Sequence, residues 1–183
     1  MLKNIKQKLK NPSGSSTLDL VIGFLIFIIL FSFLFDFFFI AYKQHQVSRL
    51  VGDITREIAI QSGLQDKTPS NYPGGDKNYI TVDEAYDTIN SYMTNLGITD
   101  YNVGITMKNR NSNSSFPVNI TLKKGISGYN TDYRGQISVT ITYTYKWGIW
   151  RSFFPGIKDG TRTVTRIGYG EYKHDYSSWK GES

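Results

Sequence analysis

Few side chains in this sequence could do chemistry. Cysteine is absent, and the only two histidines, His45 and His174, are far apart with no evident third ligand. Thiol nucleophiles, disulfide frameworks and cysteine-based zinc sites are therefore excluded. No phosphate-binding loop, nucleophile elbow, zinc-protease motif or EF-hand loop occurs, so the sequence predicts no enzyme, no catalytic residue, no metal and no cofactor. Two kinds of reactive position remain. One is the peptide bond between Gly14 and Ser15, in a run of small residues and helix breakers. The other is a pair of carboxylates, Asp19 and Asp36, which flank and interrupt an apolar stretch where an ionised group is expensive.

The apolar stretch must position both acids. Eight of the eleven phenylalanines lie between Leu20 and Tyr42, and Asp36 is the only charged residue there. A helix of that length rises ~35 Å at ~1.5 Å per residue, enough to cross a ~30 Å hydrocarbon core. It is longer than the apolar region of a secretory signal, and it leads into Lys43, Gln44, His45 and Gln46 rather than a small-residue cleavage site. Residues 1–14 carry Lys3, Lys6, Lys8 and Lys10 without an acid, which predicts a cytoplasmic N-terminus and an extracellular remainder. Leu2, Ile5 and Leu9 at helical spacing would also let this leader lie on an anionic inner leaflet.

Between leader and span, residues 11–19 predict an extended, accessible backbone. A short lysine-rich leader ends in Gly14, a small residue follows at Ser15, and an acid stands five places after the glycine, ahead of an unbroken apolar helix. In these features the chain resembles the type IV prepilin class, and more narrowly the TadE-like minor pilins, or pseudopilins, of tight-adherence secretion systems. The resemblance covers Gly14 to about Gly63. It extends weakly to residues 139–172, where threonine-rich strands flank a Trp/Phe/Pro loop. It implies cleavage after Gly14 by a membrane-embedded prepilin peptidase and assembly with other pilins on a pilus platform. Roles in assembly for Asp19 and Asp36 are implied as well. The family usually has Glu at the position of Asp19. Ser15, where major pilins usually have Phe, points to a minor subunit.

Each acid has a local reading too. Ser16 and Asp19 stand at the spacing of a helix cap, where an acid in the first turn gains ~0.3–1 kcal/mol from the helix dipole. Asp36 lies ~24 Å along the axis from Leu20, nearer one interface than the midplane, where a carboxylate can pair locally.

Beyond Tyr42 the helix continues as an amphipathic arm, with Val47, Leu50, Val51, Ile54 and Ile58 on one stripe and Gly63 as its C-terminal cap. Thr81 and Glu84 predict a capping box ahead of a second helix through Leu96, closed by Gly97. The period then switches to two over 103–107, 118–122 and 137–145, with a less regular strand from Thr161 to about Tyr172. Gly168 and Gly170 in the last suggest a bulge or a close backbone approach. Polar connections favour an antiparallel meander. The fold class is thus α+β and pilin-like: a long transmembrane helix, a short helix and a sheet of about four antiparallel strands.

The expected divisions are a leader over 1–14, the helix over 15–63, an extracellular head over 64–173 and a flexible tail over 174–183. Trp147, Trp150, Phe153 and Phe154 form an apolar loop that is either a contact surface, an element of the outer leaflet, or a plug folded back on the sheet end. The part before residue 98 is net acidic once the leader is set aside, and the rest is net basic, which could attract neighbouring subunits. The basic residues are too dispersed to predict nucleic-acid binding, and no small-molecule substrate is indicated. Two glycosylation-type triplets, at Asn113 and Asn119, are short enough to arise by chance. The sequence therefore predicts a cleaved, single-pass minor pilin with membrane lipid, a peptidase and other pilins as partners. The alternative is an uncleaved, membrane-anchored extracellular binding domain.

Overall fold

A computed structural model describes the backbone of residues 12–70, 72–110 and 118–173, with side chains from residue 16 onward within those ranges. The leader lysines, Asn113 and the tail 174–183 lie outside the described residues. The elements are α1 (Pro12–Ile60), β1 (Gly63–Leu64), a 3₁₀ turn (Gly75–Lys77), α2 (Val82–Asn95), β2 (Tyr101–Lys108), β3 (Val118–Thr121), β4 (Tyr129–Asn130), β5 (Gln136–Tyr145), α3 (Trp150–Phe153) and β6 (Gly160–Tyr169). This is the α+β arrangement expected, and it divides into two compact units. Among the described residues, one unit holds those up to Tyr42 together with Lys146–Asp159, and the other holds those from Lys43 to Tyr145 and from Gly160 onward.

Helix α1 begins earlier than its sequence suggests. Its backbone is already helical at Pro12, so the Gly14–Ser15 bond lies in a helical turn and not in extended chain. Proline fits the first turn because its missing N–H has no intrahelical acceptor there and its φ is preset. Ser16 is consequently inside the helix, and the capping role considered for Ser16 and Asp19 does not arise.

In the second unit, residues 43–60 of α1 bury Val47, Leu50, Val51, Ile54 and Ile58 and expose Arg49, Asp53, Arg56 and Glu57. Each fully buried aliphatic contributes about 1.5–3 kcal/mol, so this stripe outweighs the single exposed Arg49–Asp53 pair at 3.9 Å. The stripe joins Val82, Ala85, Ile89 and Met93 of α2 in one core. Thr81 caps α2 as the sequence predicts: its N–H donates to Glu84 Oε2 at 2.9 Å, and Glu84 N–H donates to Thr81 Oγ1 at 3.3 Å.

The termination of α1 corrects another expectation. The left-handed residue is Ser62 (φ 55°) and not Gly63. Ser62 is fully buried and its hydroxyl accepts the N–H of Tyr172 at 2.7 Å, a bond glycine could not make. Gly63 instead opens β1, which pairs with β4, and a Cβ there would sit 2.7 Å from Asn130 Cα. Gln61 closes the junction: its Nε2 donates to the carbonyls of Gly63 and Ile80, each at 2.8 Å, and its Oε1 accepts from Ile80 N–H at 2.9 Å.

The main sheet is antiparallel with order β3-β2-β5-β6, so it is not a simple meander. The β3–β5 connection carries the chain across β2, and it contains β4, which is held by β1. Val103, Ile105, Met107, Ile120, Ile137, Val139, Ile141 and Tyr143 alternate onto the core face. The opposite face of β5 and β6 carries hydroxyl pairs, Thr140 with Thr165 and Thr142 with Thr163, at 2.9 and 3.1 Å.

Strand β6 pairs with β5 without a bulge. Gly168 marks a close approach instead: a Cβ there would lie 2.9 Å from Ala59 Cβ and 3.2 Å from Thr55 Cγ2. Gly168→Val is expected to destabilise the detergent-solubilised chain by about 1–3 kcal/mol, whereas Thr161→Val on the exposed face changes it by less than about 0.5 kcal/mol. Denaturant titration of the two variants checks this contrast.

Candidate functional site

The site is assembled within the first unit, where the lone acid of the apolar stretch meets the Trp/Phe loop. From Leu18 to Tyr42, nearly every large hydrophobic side chain of α1 is exposed, while Asp36 is only 4% exposed. A carboxylate removed from water needs donors for both oxygens, or it costs several kcal/mol. Asp36 finds them in the loop. Its Oδ1 accepts the N–H of Ile149 at 3.1 Å, and its Oδ2 accepts the N–H of Trp150 at 2.6 Å. These amides open α3, where they would otherwise lack intrahelical acceptors.

Aromatic rings complete the contact. Phe33, one turn before Asp36, stacks on Trp147 with centroids 6.0 Å apart and meets Trp150 edge-on at 5.1 Å. Trp150 in turn packs on Phe154 at 4.4 Å. Such pairs add about 0.5–1.5 kcal/mol each beyond area burial. Gly148, between the tryptophans, allows the approach: a Cβ would stand 3.0 Å from Asp36 Oδ1. Arg151 lies 3.5 Å from Asp159, an ion pair whose guanidinium is exposed and whose carboxylate is partly buried.

The structure thus brings Asp36 and Trp150 together, with Trp147 beside Phe33, and leaves Phe153 and Phe154 exposed. Residues 146–159 belong to the same unit as the apolar helix. Asp19 is elsewhere. It is exposed and lies two helical turns from Pro12, beyond the reach of the dipole effect in the first turn. Gly14 and Ser15 are helical, and nothing near them is assigned to chemistry. Phe33 and Gly148 were not anticipated. The glycine between two tryptophans was the one available signal for the second.

The other unit has a cleft lined by Glu57, Gln61, Lys77, Tyr79, Glu84 and Thr88. Partial desolvation of this otherwise exposed side chain first, and Asp53 second, push the Glu57 carboxyl above the usual carboxylate range. Burial likewise pushes the Tyr79 phenol up. Among the described residues, no group of three metal-ligating side chains is placed to hold an ion.

Helix α1 is long and apolar enough to cross a membrane. Comparison with protein-family models, curated proteins and solved structures gives no match.

Replacing Asp36 with Ala leaves the Ile149 and Trp150 amides without acceptors, at a cost of about 1–3 kcal/mol. Their hydrogen exchange should accelerate about 10- to 100-fold while amides of β5 are unchanged. For Glu57, a folded pKa above the unfolded one means that ionisation near neutral pH opposes folding, and the stabilising contribution of the protonated form is lost as pH rises through the folded value. Glu57→Gln should therefore raise the melting temperature at about pH 7, with the gain shrinking toward about pH 4.

Proposed function

We propose that this chain is a TadE-like minor pilin, or pseudopilin, that joins a tight-adherence pilus or secretion assembly through the first half of α1. The observation that carries this reading is the division of labour along one uninterrupted helix. Residues 18–42 present apolar side chains that, among the described residues, are mostly left exposed, and residues 47–58 are core of an α+β head. A helix exposed in this way needs lipid or other apolar helices around it.

In the proposed sequence of events, the lysine-rich leader holds the N-terminus in the cytoplasm and the head reaches the cell surface. A prepilin peptidase then cuts after Gly14. The cut changes the electrostatics of Asp19. In the uncut chain it lies two turns inside α1, whereas after the cut it lies one turn from a new helix end that carries the Ser15 amine. Dipole attraction of ~0.3–1 kcal/mol then becomes available, and the carboxylate of one subunit can neutralise the amine of the next inside an apolar bundle. In this reading the helix supplies packing with other pilins and the assembly platform, and the head supplies specificity.

The rival, a membrane-anchored extracellular binding domain that keeps its leader, is favoured by one observation: the Gly14–Ser15 bond is helical, and a peptidase needs that turn unwound. Gly14 lowers the cost of unwinding, since glycine disfavours a helix interior.

The mass of the chain extracted from its native membrane decides between them. The pilin reading expects loss of residues 1–14, prevented by Gly14→Ala; an intact N-terminus on functional protein contradicts it. Asp19→Ala should leave cleavage intact and lower recovery of partner pilins several-fold on co-purification. Unchanged recovery would remove Asp19 from assembly.

A further inference from the structure

We infer that the Lys146–Asp159 segment is a second membrane-contact element, a wedge seated in the lipid interface beside α1. This rests on reading α1 as a membrane span. Its occupant is the bilayer, for three reasons.

The first is depth. Phe33 and Asp36, which hold the loop, precede Tyr42 by nine and six residues, or ~13 and ~9 Å along the helix axis. Interfacial helices typically sink ~5–10 Å into the boundary between headgroups and acyl chains. A loop fastened to α1 at those residues lies at about that level, in whichever leaflet holds the Tyr42 end of the span.

The second is the loop's surface. Residues 151–156 are exposed in an unbroken run that includes Phe153, Phe154 and Pro155. Phe153 and Phe154 are 41% and 46% exposed, and Ile149 is 47% exposed. This patch belongs to the same unit as the exposed apolar side chains of α1. Lys146, Arg151 and Lys158 outnumber the single acid, Asp159, giving the loop a net positive charge suited to phosphate headgroups. Tryptophan with basic neighbours is the composition favoured at the membrane–water boundary.

The third is backbone accounting. Irregular backbone is tolerated near hydrocarbon only where its polar groups are satisfied within the protein. The Ile149 and Trp150 amides are taken by Asp36. Ser152, Phe154 and Ile157 donate to the carbonyls of Ile149, Trp150 and Phe154, each at 3.0 Å. Pro155 has no N–H to satisfy. Asp36 is thus the latch that satisfies the two amides opening the loop's helical turn, and those amides satisfy a carboxylate that would be costly within a span.

The chain's three tryptophans permit a direct test. With Trp179 replaced by Phe, Trp147 and Trp150 report on the loop. The full chain is reconstituted into phosphatidylcholine–phosphatidylglycerol vesicles, with acyl chains either plain or brominated near the headgroup. The wedge predicts at least a twofold loss of tryptophan emission in the brominated vesicles. A companion variant, with all three tryptophans changed to Phe and Phe27→Trp, reports on the span. Quenching of the companion without quenching of the loop overturns the wedge and leaves the span standing, which would assign the patch to a protein partner. No quenching in either overturns the span and the wedge together.

Discussion

A polypeptide in hydrocarbon has no water to bond to, and each unsatisfied amide there costs several kcal/mol. For a helix long and apolar enough to cross a membrane, as Leu20–Tyr42 is, that constraint would favour an unbroken helix, and it would make Asp36 the residue on which the rest of the first unit turns. A lone carboxylate in such a stretch must be neutralised or surrounded by donors. The chain does the second, with two amides from a loop more than a hundred residues later. Phe33, Gly148 and the two tryptophans fall into place around that contact.

The head solves a different problem with the same helix. Its core is built by alternation on the strands and by an i, i+3, i+4 stripe on residues 47–58. Close approaches are managed by glycine where backbone or small side chains meet, at Gly63 and Gly168, and by hydrogen bonding where a buried polar group is needed, at Gln61 and Ser62. Helix α1 therefore carries two kinds of surface in series, one apolar and exposed and one apolar and covered. This is the physical basis for proposing that its first half works through contacts with lipid or other helices.

Much of this was legible in the sequence, because the signals are local. The apolar run, the arm's stripe, the Thr81–Glu84 box and the period-two strands each depend on neighbours within a few residues, and each appears where expected. What was not legible depends on distant pairing. The order β3-β2-β5-β6 and the β1–β4 pair join segments far apart in the chain, and the two-residue strands β1 and β4 are too short to show a period. Ser62 outcompetes Gly63 as the left-handed residue because of Tyr172, far along the chain. The Asp36 latch needs both ends of the sequence at once. Its acid was visible as an anomaly, its donors are backbone, and backbone leaves no mark in composition. The helical start at Pro12 was missed because Asn, Pro, Ser and Gly signal a break wherever they cluster, although proline is well suited to a first turn.

The central claim is that one helix runs without interruption from the exposed apolar segment into the core of the head. Site-resolved hydrogen exchange of the full chain in lipid nanodiscs tests it most directly. Continuous protection from Leu20 to Ile58, including the amides of 41–46 where the two surfaces meet, is the result predicted. Fast exchange confined to 41–46, with protection on both sides, would mean two helices joined by a hinge and would contradict the account.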